Sequence, residues 1–142
     1  MTCYILMRDH YDCSVRVAAY TKDALEREKQ SWLDAAIAQN QVNIAEYEKQ
    51  IQDKEEKKQE FVDTDSKLLA EAKSAKESGD IQRSKSLNKE RKRLQKYINA
   101  ITFEIDSFER KICDLKVLTD SEIIQSYMRK MKYYIEEIEL FE

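Results

Sequence analysis

Residues 68–98 read LLAEAKSAKESGDIQRSKSLNKERKRLQKYI, and they contain Gly79, the only glycine in a 142-residue chain that has no proline. On both sides of this glycine, apolar residues recur in alternating steps of four and three, the heptad pattern of packed helices. Glycine commonly follows the last residue of a helix, and aspartate, here Asp80, commonly caps the next one. The pattern therefore predicts a long helical hairpin that folds at Gly79.

The two helices of this hairpin are predicted over 21–78 and 80–117. Thr21 places a hydroxyl where it can cap the first helix. Residues 63–66, DTDS, carry side chains that compete for backbone hydrogen bonds, so they could interrupt the first helix.

Reflecting one apolar seam onto the other through Gly79 pairs Phe61 with Ile98 and Ile51 with Phe108. Because these pairs agree with one register, the two helices are expected to run antiparallel as a coiled coil. Charged residues also occupy several seam positions, among them Lys54, Lys58, Asp65 and Arg91.

Residues 1–20 follow a different period. Cys3, Ile5 and Met7 alternate with Tyr4, Leu6 and Arg8, and Val15, Val17 and Ala19 alternate with Arg16, Ala18 and Tyr20. The polar stretch 9–14 separates the two runs. This two-residue period predicts a β-hairpin. An isolated hairpin is marginal in water, so we expect Trp32 and its neighbours to cover one face. The other face, or an open strand edge, would then be available to a second copy or to a partner.

A third helix is predicted over 120–141, starting at the capping-box pattern of Thr119 and Glu122. Folded back on the helical hairpin, it would complete a three-helix bundle. Its apolar stripe consists of Ile124, Met128, Met131, Ile135 and Ile138, with Tyr127, Tyr134 and Phe141 beside it. The expected fold is a mainly α single domain with an N-terminal β-hairpin.

Composition limits the classes of function. Charged residues make up 37% of the chain, against a typical value of about 25%, and the formal net charge is −3. This balance argues against bulk attraction to nucleic acid or to an anionic membrane. Without a long apolar run at the N-terminus, we expect a soluble cytoplasmic protein.

The residues that usually carry catalysis or bind metals are sparse. His10 is the only histidine, and the three cysteines, Cys3, Cys13 and Cys113, lack a Cys-x-x-Cys spacing. A Cys3–Cys13 bridge and a zinc site around His10 are minor alternatives. A chain with one glycine cannot form the glycine-rich loops that bind nucleotides. We therefore predict a protein that is not an enzyme and has no cofactor or metal.

Two sets of residues are candidates for binding a partner. Tyrosine is a frequent anchor of protein interfaces, although the same residues could pack the hairpin against the helices. The candidate tyrosines are Tyr4, Tyr11, Tyr20, Tyr133 and Tyr134. The second set is a basic run near the tip of the helical hairpin, which could bind a phosphate backbone or be an ordinary solvated face. It comprises Arg83, Lys85, Lys89, Arg91, Lys92, Arg93 and Lys96.

The N-terminal segment resembles the strand-strand-helix start of small accessory proteins of bacteriophages and mobile elements. The similarity rests on Tyr4-Ile-Leu-Met-Arg, on Val15 and Val17, and on Tyr20-Thr-Lys-Asp-Ala-Leu-Glu, and it covers about the first 35 residues. It implies an accessory protein acting in the host-cell cytoplasm, in a group that includes inhibitors of bacterial defence such as anti-CRISPR proteins. It assigns no residue to an active surface.

Three hypotheses follow. The first is a non-enzymatic protein-interaction module, expected to form a dimer, that blocks or scaffolds another protein. The second is a nucleic-acid-binding accessory protein that uses the basic run. The third is an oligomeric sponge that encloses a small molecule or nucleotide between subunits.

Overall fold

The computed structural model describes residues 1–139. It is mainly helical, and its elements are, in order, β1 (Thr2–Asp9), β2 (Ser14–Tyr20), α1 (Lys22–Glu77), α2 (Ile81–Lys116), α3 (Asp120–Met131) and β3 (Tyr133–Glu139). The chain divides into two compact units. The sheet unit comprises Met1–Asn43 and the chain from Lys116 onward, and the helical unit comprises Ile44–Leu115.

The sheet unit contains a three-stranded antiparallel sheet in the order β2-β1-β3. The predicted N-terminal β-hairpin is confirmed, with Leu6 of β1 opposite Ala18 of β2. On the other side of β1, Leu6 is opposite Ile135 of β3. Leu6 is 2% exposed, and Ile5 is also buried. The central strand therefore forms the core of this sheet.

The predicted helix over 120–141 is wrong beyond Met131. Lys132 adopts a left-handed conformation (φ 58°) and ends α3, after which the chain enters β3. The expected packing of Ile135 on a helical bundle is wrong for the same reason, because Ile135 pairs with Leu6 in the sheet. Pairing with β1 satisfies a strand edge that would otherwise have lacked hydrogen-bond partners. Phe141, placed beside the predicted stripe, lies outside the described residues.

The helix caps predicted at Thr119 and Thr21 are present. Thr119 Oγ1 accepts a hydrogen bond from the Glu122 amide (3.2 Å), and the Glu122 side chain reaches back to the Thr119 amide, so the capping box is present. Thr21 Oγ1 likewise accepts from the amide of Ala24 at the start of α1. These bonds satisfy amides that have no partner within the helix.

The helical unit contains the Gly79 turn and most of the two helices of the predicted helical hairpin. Gly79 has φ +84°, and the Asp80 amide donates to the Ala75 carbonyl while the Gly79 amide donates to the Lys76 carbonyl. This is the Schellman arrangement that ends a helix at a left-handed glycine. Asp80 Oδ1 then accepts from the Arg83 amide and caps α2. α1 continues through 63–66, where Thr64 and Ser66 hydroxyls donate to carbonyls one turn earlier in the same helix.

Side chains of α1 and α2 meet along the predicted seam. Phe61 stacks on Tyr97 with ring centroids 5.9 Å apart, and Tyr47 lies 5.7 Å from Phe108. Lys111 Nζ lies over both of the latter rings. The buried residues of this unit are Ala72, Ala75, Ser84, Ile98, Ile101 and Ile105. All six lie at heptad steps from the seam positions named above, so the buried side chains follow the predicted period.

Two ion pairs join the helices, and each includes at least one charged seam residue. Arg91 Nε lies 3.0 Å from Asp65 Oδ1, and Lys54 Nζ pairs with Glu104 Oε2. The acid is on α1 in one pair and on α2 in the other. Charged residues at seam positions can select one register, because a shifted register leaves them without partners.

Candidate interaction surfaces

The outer edge of β2 is the first candidate surface. β2 pairs only with β1 among residues 1–139, so one side of its backbone faces no other strand. Val15 and Val17 are 43% and 48% exposed, and Arg16 is the one charged residue of the strand. Val17 is an extra residue in the pairing, because Leu6 is opposite Ala18 while Met7 is opposite Arg16. The edge is thus apolar and carries a β-bulge.

The candidate tyrosines do not share one surface. Tyr11 is fully exposed in the turn between β1 and β2, where the His10 amide donates to the Cys13 carbonyl. Tyr4, Tyr20 and Tyr134 are half-buried strand residues. Tyr133 packs on Trp32, with ring centroids 5.7 Å apart. Of the five, Tyr133 therefore belongs to internal packing and Tyr11 is free to meet a partner.

An aromatic cluster that the sequence reasoning did not identify joins α1, α3 and β3. It consists of Trp32, Tyr127 and Tyr133. The Trp32 ring stacks on Tyr127 at 5.5 Å, and Tyr127 lies 6.3 Å from Tyr133. Aromatic pairs at this distance contribute beyond the area they bury. No local signal marks this cluster, because Ile135 and Ile138 of β3 continue the helical spacing of α3.

Two phenols of the sheet unit have raised pKa values. Burial is the main cause of the raised pKa of Tyr20, and the Glu28 carboxylate and Tyr133 add to it. Burial also raises the pKa of Tyr127, again with Tyr133 and Glu28 contributing. All these causes disfavour phenolate. Tyr20 and Tyr127 therefore remain neutral hydrogen-bonding groups at physiological pH.

The basic run of α2 is the second candidate surface. Arg91 is engaged by Asp65, so it belongs to the contact between the helices. The other six residues are exposed: Arg83, Lys85, Lys89, Lys92, Arg93 and Lys96. Beside Arg91 a shallow groove of about 480 Å³ is lined by Asp65, Asn88, Arg91, Lys92 and Gln95.

Cys3, Cys13 and Cys113 are unbridged thiols. Within residues 1–139, no three histidine, cysteine, aspartate or glutamate side chains are grouped to hold a metal ion. None of the described helices has both the length and the hydropathy needed to cross a membrane.

Comparison of the chain with protein-family models, with curated proteins and with solved structures gave no match. The two surfaces are therefore interpreted from their own chemistry.

Proposed function

We propose that the chain is a non-enzymatic protein-interaction module whose sheet unit binds an extended segment of another protein along β2. The observation that supports this proposal is the open, apolar edge of β2, with Val15 and Val17 half exposed. An extended segment that adds to such an edge gains backbone hydrogen bonds, and its alternate side chains gain contacts.

The other sheet edge, on β3, is a poorer docking site. Glu136, Glu137 and Glu139 are exposed along that strand. Charged side chains are a common way to protect an edge from strand pairing. β2 has Arg16 alone, and the fully exposed Tyr11 at its preceding turn supplies an aromatic anchor.

The bulge at Val17 favours a flexible segment over a second copy of β2. Bulges bend the strand and increase its twist, and they are used to discourage edge-to-edge pairing of identical sheets. A flexible peptide can follow that twist, whereas two bulged edges would have to match each other. The resemblance to phage accessory proteins extends the proposal to an inhibitor that occupies and blocks a host or defence protein.

For the helical unit, we infer that α1 and α2 pack with the interlocking side chains of an antiparallel coiled coil. The ring contacts Phe61–Tyr97 and Tyr47–Phe108 and the buried seam support this geometry. In this proposal the helical unit is a support and not the docking site for the peptide.

The test compares capture of proteins from bacterial lysate by three forms of the tagged chain. The edge variant carries Val15→Lys and Val17→Lys. The control carries Val42→Lys and Val117→Lys, which make the same change at valines of the sheet unit that are 62% and 69% exposed. We expect a stoichiometric partner to be retained by the wild type and the control and to be lost from the edge variant.

A partner that binds the edge variant as well as the wild type would contradict the use of β2. Light scattering of the purified wild type and edge variant tests whether a second copy of the chain occupies the β2 edge. A dimer that the edge variant dissociates would show that a second copy, and not a partner peptide, covers this strand.

A further inference from the structure

Four lysines of α2 lie in one row along the helix. Lys85, Lys89, Lys92 and Lys96 follow one another in steps of four, three and four residues. At about 100° per residue these steps keep all four on one face, and at ~1.5 Å per residue they lie about 4.5 to 6 Å apart along the axis. All four are exposed. We call this row the lysine stripe.

The stripe is not neutralised by carboxylates. The ion pairs that the structure describes within residues 1–139 are Arg91–Asp65 and Lys54–Glu104, and neither includes a stripe lysine. Glu90 is the one acidic residue of α2 between Ile81 and Tyr97. Because Glu90 directly follows Lys89, it lies about 100° around the helix from that lysine.

The lysines of α1 show what a solvated face in this protein looks like. Lys57, Lys67, Lys73 and Lys76 are exposed, but they point in different directions around α1 and alternate with carboxylates. Those carboxylates include Glu55, Glu56, Glu60, Asp63, Glu71 and Glu77. Interleaved charges of both signs are typical of a face that only keeps a helix in solution. The lysine stripe lacks this interleaving.

The surroundings of the stripe match a phosphate backbone. Asn88, Gln95 and Asn99 lie beside it and offer uncharged hydrogen-bonding groups. The stripe contains no aromatic residue from Lys85 to Lys96, so it lacks the stacking platform that single strands use. A membrane-surface helix needs a broad apolar face next to its basic one, and here the large exposed apolar side chains of α2 are Ile81, Tyr97 and Phe103, which are too far apart on the helix to form a continuous face.

We propose that the lysine stripe binds the phosphate backbone of double-stranded nucleic acid without reading its sequence. Lysine ammonium groups act as point charges for phosphate, and a duplex presents one negative charge per ~1.7 Å of axis. Four phosphate contacts predict that the logarithm of the binding constant falls with the logarithm of salt concentration with a slope of about −3 to −4. Because these contacts act by releasing counterions, the binding is weak at high salt.

The experiment measures fluorescence anisotropy of a labelled mixed-sequence duplex between about 50 and 200 mM salt. The stripe variant carries Lys85→Gln, Lys89→Gln, Lys92→Gln and Lys96→Gln. The control carries Lys57→Gln, Lys67→Gln, Lys73→Gln and Lys76→Gln, which remove the same charge from the same helical unit. Circular dichroism verifies that both variants are folded.

We expect the stripe variant to bind duplex at least about tenfold more weakly, with a shallower salt slope, and the control to bind within about threefold of the wild type. Equal losses in both variants, or no duplex binding by the wild type at low salt, would overturn the proposal. So would stripe-dependent binding to anionic vesicles or to polyglutamate without binding to duplex. The inference is independent of the β2 edge, since the variant with Val15→Lys and Val17→Lys should bind duplex like the wild type.

Discussion

Arg91 of α2 donates from Nε to Asp65 Oδ1 at 3.0 Å and from its terminal nitrogen to Oδ2 at 3.4 Å, so one guanidinium holds both oxygens of a carboxylate on α1. Both residues stand at seam positions where apolar side chains would be usual. Their side chains are 29% and 22% exposed, so the pair is partly shielded from water. A paired geometry of this kind fixes how the two helices align.

Exchanging both charges of the Arg91–Asp65 pair should largely preserve stability, whereas reversing the charge of one member alone should lower it. Arg91→Glu or Asp65→Arg alone places like charges against each other across the seam. We expect the double exchange to recover stability, with a coupling of about 0.5–1 kcal/mol. Urea denaturation of the four proteins of the cycle measures this coupling. The same cycle at Lys54 and Glu104 should give a smaller value, because Glu104 is 50% exposed. Equal coupling at both sites would argue against a special role for Asp65.

Any residue with a side chain at position 79 should destabilise the turn. The φ of +84° at Gly79 disfavours residues with a Cβ, although a Cβ there would meet no atom within 4 Å. We expect Gly79→Ala to lower the free energy of unfolding by about 1–2 kcal/mol through backbone conformation alone. Gly79→Asn should cost less, because asparagine tolerates this conformation. Ser86→Ala, at an exposed position within α2, is the control and should be near neutral. A neutral Gly79→Ala would show that the turn can relax.

Removing the aromatic cluster should destabilise the sheet unit. Trp32 is 7% exposed and contacts Tyr127 and Tyr133. We expect Trp32→Ala to cost about 3–5 kcal/mol and Trp32→Phe clearly less, because phenylalanine keeps a ring in the cluster. Far-UV circular dichroism during denaturation measures both. In the wild type, Trp32 is the only tryptophan, so its fluorescence reports unfolding of this unit. A loss below about 1 kcal/mol for Trp32→Ala would show that the cluster packs loosely.

Alkaline pH should weaken the sheet unit. Burial raises the pKa of Tyr20 and Tyr127 in the folded chain above the ordinary value of 10.0. Because the unfolded phenols lose their protons first, the stabilisation they contribute is present below that value and is lost as pH rises through the folded pKa.

Ultraviolet absorbance of tyrosinate during a pH titration identifies these late-titrating phenols. Tyr20→Phe and Tyr127→Phe should each remove part of the late phase, and Glu28→Gln should lower its midpoint. Tyr11→Phe, at a fully exposed tyrosine, is the matched control for the loss of one phenol. A late phase unchanged by Glu28→Gln would contradict the contribution of that carboxylate.

The helices and their seam could be predicted because they depend on local signals. Gly79 marks the turn, Thr21 and Thr119 mark helix starts, and the heptad period identifies the apposed faces. The lysine stripe was predictable for the same reason, since helical spacing alone places its four lysines on one face.

β3 could not be predicted in this way. Tyr133–Glu139 has no clean two-residue alternation, and Ile135 and Ile138 continue the helical spacing of α3. The helix ends at Lys132, a left-handed residue that is not glycine and therefore carries no terminating signal in the sequence. What selects the strand is its pairing with β1, a contact between distant parts of the chain. The contact between Tyr133 and Trp32 depended on that pairing, so it was missed as well, although Trp32 was expected to cover the hairpin.

The pairing of β1 with β3 also has a consequence for how the chain folds. Contacts of the helical unit form around one tight turn, whereas Leu6 can meet Ile135 only after almost the whole described chain has been made. Local contacts form fast and distant strand pairing is slow, so during synthesis the helices should be in place before the sheet closes. Until then the edge of β1 that later pairs with β3 is open in addition to the edge of β2, and the nascent chain is most exposed to mispairing during that interval.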